Sequence, residues 1–227
     1  NVAVGKGALA AATTTGGNVA VGTDALNDNT SGSNNVAVGN DAGGKVTTGG
    51  SNTIIGAAAG NAITTGATSA TGGQNILIGD NAGAGGAITG IRNVAVGDNA
   101  LYSVVAGGGN IAIGYAAGNV VSSGDHNVFV GTSSGQANTT ADNNVGVGTN
   151  ALNANTTGTN NVALGIRTLD VNTTGGSNTA LGADALGANT TANNNTAVGQ
   201  SALLANTTGA NNTAVGASAL DACTTGH

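Results

Sequence analysis

The sequence has no proline, methionine, tryptophan or glutamate, and it contains one cysteine, Cys223, among 227 residues. Its aromatic residues are Tyr102, Tyr115 and Phe129. Large apolar side chains normally fill the interior of a globular domain, so this composition excludes a conventional core. The lone cysteine excludes a disulfide framework within the chain.

Positive charge is also scarce: Lys and Arg total four against ten Asp, which gives a net charge of −6. This balance argues against binding to nucleic acid or to an anionic membrane, because both require clustered cations. No apolar stretch approaches the ~20 residues of a membrane span, and the first residues do not show a charged region followed by an apolar one. The sequence starts and stops almost on a repeat boundary, so we expect it to be a segment of a longer protein.

The sequence is rich in Gly, with 42 copies, and in Ala, Val, Thr and Asn, all arranged in a repeat. The consensus is N-[VIT]-A-[VIL]-G-x-x-A-[LG]-x-x-[NV]-T-T-G-x-N, and its letters define positions one to seventeen. The fourth repeat has 23 residues and the fifth has 18. The thirteen repeats begin at residues 1, 18, 35, 52, 75, 93, 110, 127, 144, 161, 178, 195 and 212.

A short fixed period of this kind is typical of a solenoid. Seventeen residues cannot hold two helices with their turns, and frequent Gly and β-branched residues disfavour helix. Each repeat is predicted to supply a strand such as N-V-A-V, a turn at the Gly of position five, a second strand ending in N-T-T, and a return turn. The predicted fold is an all-β, parallel β-solenoid (β-roll) of 13 in-register coils of about 17 residues, forming one domain over residues 1–227.

The asparagine at position one is predicted to form a ladder through the stack. Each side-chain amide would donate to the next coil's amide and accept from the previous one. The predicted ladder consists of Asn18, Asn35, Asn52, Asn75, Asn93, Asn110, Asn127, Asn144, Asn161, Asn178, Asn195 and Asn212.

Positions nine and twelve are predicted to share one interior slot. Leu at position nine usually accompanies Asn at position twelve, as in Leu186 and Asn189, whereas Gly at position nine accompanies an apolar residue, as in Gly43 and Val46. The sixth and eighth repeats depart from this rule. Close-packed interiors require such compensation of volume.

Position three is predicted to face outwards, because strand residues alternate and positions two and four would then point into the coil. An outward column should be polar, yet this one is apolar, and Ile54, Leu77 and Phe129 are large. Monomers rarely expose a continuous apolar patch, so we expect a symmetry-related chain to cover it. The predicted oligomer face consists of Ala3, Ala20, Ala37, Ile54, Leu77, Ala95, Ala112, Phe129, Ala163, Ala180, Ala197 and Ala214.

The segments N-V-A-V-G, N-I-A-I-G and N-T-A-L-G resemble the N-S-V-A-I-G head repeats of trimeric autotransporter adhesins, the YadA-like heads. That resemblance implies a left-handed parallel β-roll, three chains side by side, and an adhesive role on a bacterial surface. The repeats lack the Ser after Asn and form a longer coil than is usual in that family. The longer N-T-A-V-G…A-L…N-T-T-G-x-N form is also similar to repeats of phage tail fibres and large surface fibres.

Candidate catalytic chemistry is sparse, so the sequence predicts no enzyme, no catalytic residue, no cofactor and no metal site. Asp24 with Asp41 and Asp80 with Asp98 could pair across adjacent coils as glycoside-hydrolysing carboxylates do, but solvated turns explain them better. A calcium ion held by Asp, Asn and carbonyl oxygens is another alternative. The stacked Thr-Thr pairs suggest ice binding as a further alternative function, with one Thr per coil facing outwards.

Irregular places are the better candidates for recognition, since loops on rigid scaffolds often carry binding. These places are the insertion at 64–74 and two nearby aromatic residues, Tyr102 and Tyr115. The sequence therefore predicts a non-enzymatic structural or adhesive segment of an extracellular trimeric fibre, on a cell surface or virion, with a host-surface or glycan receptor. The alternatives are a filament whose coils stack end to end, a phage tail-fibre shaft, and an ice- or glycan-binding solenoid.

Overall fold

A computed structural model of the chain describes residues 1–61, 63 and 73–226. The described residues form thirteen three-residue strands, one per repeat, and no helix. The strands are β1 (Val2–Val4), β2 (Val19–Val21), β3 (Val36–Val38), β4 (Thr53–Ile55), β5 (Ile76–Ile78), β6 (Val94–Val96), β7 (Ile111–Ile113), β8 (Val128–Val130), β9 (Val145–Val147), β10 (Val162–Leu164), β11 (Thr179–Leu181), β12 (Thr196–Val198) and β13 (Thr213–Val215). Each strand covers positions two to four of its repeat.

The chain divides into two compact units, the N-terminal unit (Asn1–Tyr115) and the C-terminal unit (Ala116–His227). Strands β1 to β7 pair consecutively in parallel within the first, and β8 to β13 do so within the second. Each pairing joins equivalent positions, as Val145 with Val162. The predicted all-β parallel β-solenoid is thereby confirmed.

The fourth and fifth repeats keep this register despite their extra residues. Thr53 pairs with Ile76, and Ile76 pairs with Val94, at the same position of each strand. The additional length therefore lies outside strands β4, β5 and β6 and leaves their register unchanged.

The predicted second strand was wrong for the described residues, because the return segment consists of turns. Positions seven and nine take left-handed backbone angles, as in Asp184 (φ 58°) and Leu186 (φ 52°), and such residues cannot extend a strand. Backbone amides of this segment instead donate alternately to the next coil and to a carbonyl of their own coil. The Leu186 amide donates to the Ala202 carbonyl of the next coil at 3.0 Å, whereas the Asn189 amide donates back to the Leu186 carbonyl at 3.1 Å.

Position five is glycine in every repeat for two reasons. Its φ lies between 123° and 140°, a region that residues with a Cβ rarely adopt. In addition, a Cβ on Gly148 would overlap the carbonyl of Gly165 in the next coil. The turn after each strand thus needs glycine both for conformation and for the close stacking of coils.

The prediction that position three faces outwards was wrong. Its side chains are enclosed by the coils of their own chain, so they cannot meet a neighbouring chain, and the side chains of positions two and four point outwards instead. Ala3 is exposed but pairs in register with Ala20 and belongs to the same column. The buried members, none more than 3% exposed, are Ala20, Ala37, Ile54, Leu77, Ala95, Ala112, Phe129, Ala163, Ala180, Ala197 and Ala214.

The large residues of this column fill space inside the coil. Ile54, Leu77 and Phe129 occur in the repeats whose position nine is glycine. A Cβ on Gly83 would lie 3.0 Å from Leu77 Cδ1, and one on Gly135 would overlap the Phe129 ring. Positions three, nine and twelve therefore share the interior volume, which explains their size without an outside partner.

Candidate interaction surfaces

The asparagines of position one are buried and hydrogen bonded along the stack. The Asn161 backbone amide donates to Asn144 Oδ1 at 2.9 Å, and Asn161 Nδ2 donates to the Gly175 carbonyl at 2.8 Å. Asn178 donates to Asn161 Oδ1 through its backbone amide at 3.0 Å and through Nδ2 at 3.1 Å. Side-chain amides thus donate to the preceding coil, in the opposite sense to the predicted ladder, and the column is structural rather than accessible.

A second asparagine ladder lies at position twelve of the C-terminal unit. Asn172 Nδ2 donates to Asn155 Oδ1 at 2.9 Å and also to the Gly175 carbonyl at 2.9 Å, and Asn189 Nδ2 donates to Asn172 Oδ1 at 2.9 Å. Sequence reasoning took this column only as a volume partner of position nine. Its recurrence every 17 residues is the signal that would have identified the ladder.

Positions two and four form an outward apolar surface in each unit, which we call the sheet face. Position four is apolar in every repeat, and Ile113 and Leu164 are 41% and 40% exposed. Sequence reasoning placed these side chains in the core, although the small residues between them at position three are what a narrow interior requires. Position four consists of Val4, Val21, Val38, Ile55, Ile78, Val96, Ile113, Val130, Val147, Leu164, Leu181, Val198 and Val215.

The threonines at positions thirteen and fourteen differ in their hydrogen bonding. Thr156 Oγ1 at position thirteen donates to the Thr173 carbonyl of the next coil at 3.0 Å, and the same bond recurs from Thr173 to Thr190. The neighbouring Thr157 and Thr174 at position fourteen are exposed. One threonine column per coil is therefore turned towards solvent.

The candidate carboxylates lie in turns. Asp24 and Asp41 are partly buried, whereas Asp80 and Asp98 are exposed. Asp41 Oδ2 accepts a hydrogen bond of 2.7 Å from Asn61 Nδ2. Among residues 1–61, 63 and 73–226, no group of three His, Cys or Asp side chains is placed to hold a metal ion.

The two tyrosines proposed for recognition are both exposed but occupy different columns. Tyr102 is 37% exposed at position ten, and Tyr115 is 56% exposed at position six. The Tyr102 ring lies against Gly85, whose amide donates to the Tyr102 carbonyl at 2.7 Å. The proposed recognition loop at 64–74 lies outside the described residues apart from Gly73 and Gln74.

A surface groove of about 470 Å³ lies in the C-terminal unit. Beside it, Arg167 donates to both carboxylate oxygens of Asp184, with Nε–Oδ1 at 2.7 Å and Nη2–Oδ2 at 2.9 Å, and this hydrogen bonding raises the pKa of Arg167. Burial raises the pKa of Asp170. We call this site the Gly187 groove, and its lining includes Asp170, Val171, Asp184, Gly187, Ala188 and Leu204.

No helix capable of crossing a membrane occurs in the part of the chain that the structure describes. Comparison of the chain with protein-family models, curated proteins and solved structures gave no match. Its function is therefore inferred from its own surfaces.

Proposed function

We propose that this chain is a non-enzymatic, structural and adhesive segment of an extracellular fibre, in which three chains pack side by side through their sheet faces. The observation that carries the proposal is the unbroken apolar column at position four, flanked by Val, Ile or Thr at position two. A charged or polar residue never interrupts position four, although solvent would favour one there.

Burial supplies the physical reason for association. Apolar surface removed from water stabilises a complex by about 25 cal/mol per Å². Soluble monomers seldom leave a large continuous apolar patch in contact with water. In each unit the sheet face consists of regular columns because its strands are parallel and in register, so identical chains can present matching columns to one another.

The choice of three chains and of an extracellular fibre rests on the resemblance of the N-V-A-V-G repeats to trimeric adhesin heads. The adhesive role rests on the same resemblance, with a host-surface or glycan receptor as the partner. A rigid stack of short repeats also suits a fibre, because each coil contacts only its neighbours and the stack can extend without a new core.

Sedimentation equilibrium tests the assembly. We expect a mass three times the 21.0 kDa of the chain, and we expect the double variant Val147→Lys with Leu164→Lys to sediment as a single chain. Both substitutions place a charge on the sheet face at partly exposed positions. The matched control is Thr157→Lys with Thr174→Lys, which adds the same charge to exposed position fourteen and should leave the mass unchanged.

Circular dichroism of each variant verifies that the solenoid is retained. A monomeric parent chain, or a sheet-face variant that keeps the parent mass, would show the proposed packing to be wrong. Attachment is tested with beads coated with the parent chain on glass and on cell monolayers. Beads that attach no better than albumin-coated beads would contradict the adhesive part of the proposal.

A further inference from the structure

The Gly187 groove exists because a side chain is missing from a column of side chains. Position ten holds Asp170, Gly187 and Leu204 in three consecutive repeats. Gly187 does not have a positive φ, so the backbone does not require glycine there. A Cβ at this position would lie 3.1 Å from Leu204 Cδ1, the movable end of a side chain, and 3.1 Å from the backbone carbonyl oxygen of Asp184. The glycine therefore opens space rather than permitting a turn.

The walls of this space are apolar. Val171 and Leu204 are 41% and 38% exposed, and Ala188 lies between them at position eleven of the intermediate repeat. Exposed branched residues beside a gap of this volume can pack against an aliphatic chain. The groove therefore favours a ligand with an apolar stem.

One end of the groove carries an available negative charge. The nearby cation, Arg167, is already paired bidentately with Asp184. Asp170 is influenced by the charges of both groups but forms no ion pair with either, as the Arg167–Asp184 pair is the one salt bridge among the described residues. Its carboxylate interacts with the Asp170 and Val171 backbone amides and has no paired cation.

We propose that the Gly187 groove binds a lysine side chain of a partner protein. The aliphatic stem packs between Val171 and Leu204, and the ammonium group meets the carboxylate of Asp170. Lysine fits better than arginine, because the Asp170 carboxylate already interacts with the Asp170 and Val171 backbone amides and offers fewer free sites for bidentate pairing with a guanidinium, whereas a compact ammonium needs one oxygen. The stem of lysine is also suited to apolar walls while its charged end stays near water.

This inference concerns a different surface from the sheet face. The groove is built from positions seven, ten and eleven, whereas the sheet face is built from positions two and four. A variant that fills the groove should consequently sediment like the parent chain. Failure of the lysine site and failure of the proposed trimer are thus distinguishable.

Titration followed by nuclear magnetic resonance tests the site. The probe is Nα-acetyl-lysine methylamide, and we expect saturable shifts of the Gly187, Ala188 and Leu204 amide signals with a Kd in the millimolar range. The same probe with its ε-amino group acetylated, and n-butylamine, separate the contributions of charge and stem. The acetylated probe should lose the shifts, and n-butylamine should reproduce them more weakly, since it carries the same stem without the peptide groups.

Two variants isolate the two parts of the groove. Asp170→Asn should raise the Kd at least about fivefold because it removes the ion pair, and Gly187→Leu should abolish the shifts because it fills the gap. The matched controls are Asp221→Asn, which makes the same change at position ten outside the groove, and Ala10→Leu, which introduces the same leucine there, and both should leave the Kd unchanged. An absence of saturable shifts, or an Asp170→Asn variant that binds as well as the parent, would overturn the proposal.

Discussion

The N-terminal and C-terminal units fill position twelve of the repeat in different ways. In the N-terminal unit the column is mainly apolar, with Val46, Ile63 and Val104 all buried, and in the longer fifth repeat Ile88, two residues after position twelve, is buried as well. In the C-terminal unit it is mainly asparagine, with Asn138, Asn155, Asn172, Asn189 and Asn206 all buried. The backbone stack is nevertheless the same in both, since strands pair in the same register.

This contrast shows that the interior accepts either apolar or asparagine side chains at position twelve if two conditions are met. The volume of positions three, nine and twelve must stay filled, as the pairing of Phe129 with Gly135 illustrates. Buried amides must also find partners, as Asn29 does within its own coil, where Oδ1 accepts from the Gly32 amide at 2.8 Å. An isolated asparagine therefore closes on its own coil, whereas Asn172, Asn189 and Asn206 close on their own coil and also donate to the asparagine of the preceding coil.

The strongest test of the volume condition is a double-mutant cycle at Phe129 and Gly135. Phe129→Ala should lower the free energy of unfolding by about 3–5 kcal/mol through a cavity, and Gly135→Leu should be at least as damaging because its side chain meets the ring. The double variant should regain most of the loss, because Ala, Leu and Asn138 reproduce the common repeat. Urea unfolding of all four proteins measures the coupling, and additive losses would contradict shared volume.

The hydrogen-bond condition is tested in the asparagine ladder of the C-terminal unit. Asn172→Ala removes the donor to Asn155 Oδ1 and to the Gly175 carbonyl, and it should cost about 2–4 kcal/mol of unfolding free energy. The control Asn40→Ala, at exposed position six, should cost less than about 0.5 kcal/mol. Equal effects in thermal or urea unfolding would mean that the ladder contributes no specific stability.

The smallest loss of unfolding free energy is expected when an asparagine is placed in the mainly apolar column of the N-terminal unit. Val104→Asn places an amide in the mainly apolar column of the N-terminal unit, where it can still close on the Gly107 carbonyl as Asn155 does on Gly158 at 2.9 Å. The expected cost is about 1–2 kcal/mol, for one incompletely paired oxygen. The control is Val105→Asn at the exposed neighbouring position, which should be near neutral. A loss that exceeds that of Asn172→Ala would contradict this explanation of the two columns.

The period, the strand at positions two to four and the parallel register follow from the sequence, because the repeat fixes which residues stack. Which face of the strand lies inside does not follow, since position four is apolar in every repeat, position three is apolar or glycine, and position two is apolar in nine of thirteen repeats, so that alternation allows two solutions. The relation between Phe129 and Gly135 would have decided it, because a large residue that replaces a missing side chain must share its cavity. The turns at positions seven and nine were not predictable, as Leu186 has a φ that leucine seldom adopts.

The ladder at position one also gives the chain a direction of growth. Each asparagine side chain presents an oxygen that the coil after it uses, as Asn144 does for Asn161, only 17 residues later in a chain of 227. Because these contacts join adjacent coils, a new coil can add to the edge of the stack that has already folded, without waiting for distant parts of the polypeptide. Such a molecule is suited to fold progressively from its leading end as it emerges from a ribosome or a narrow export pore.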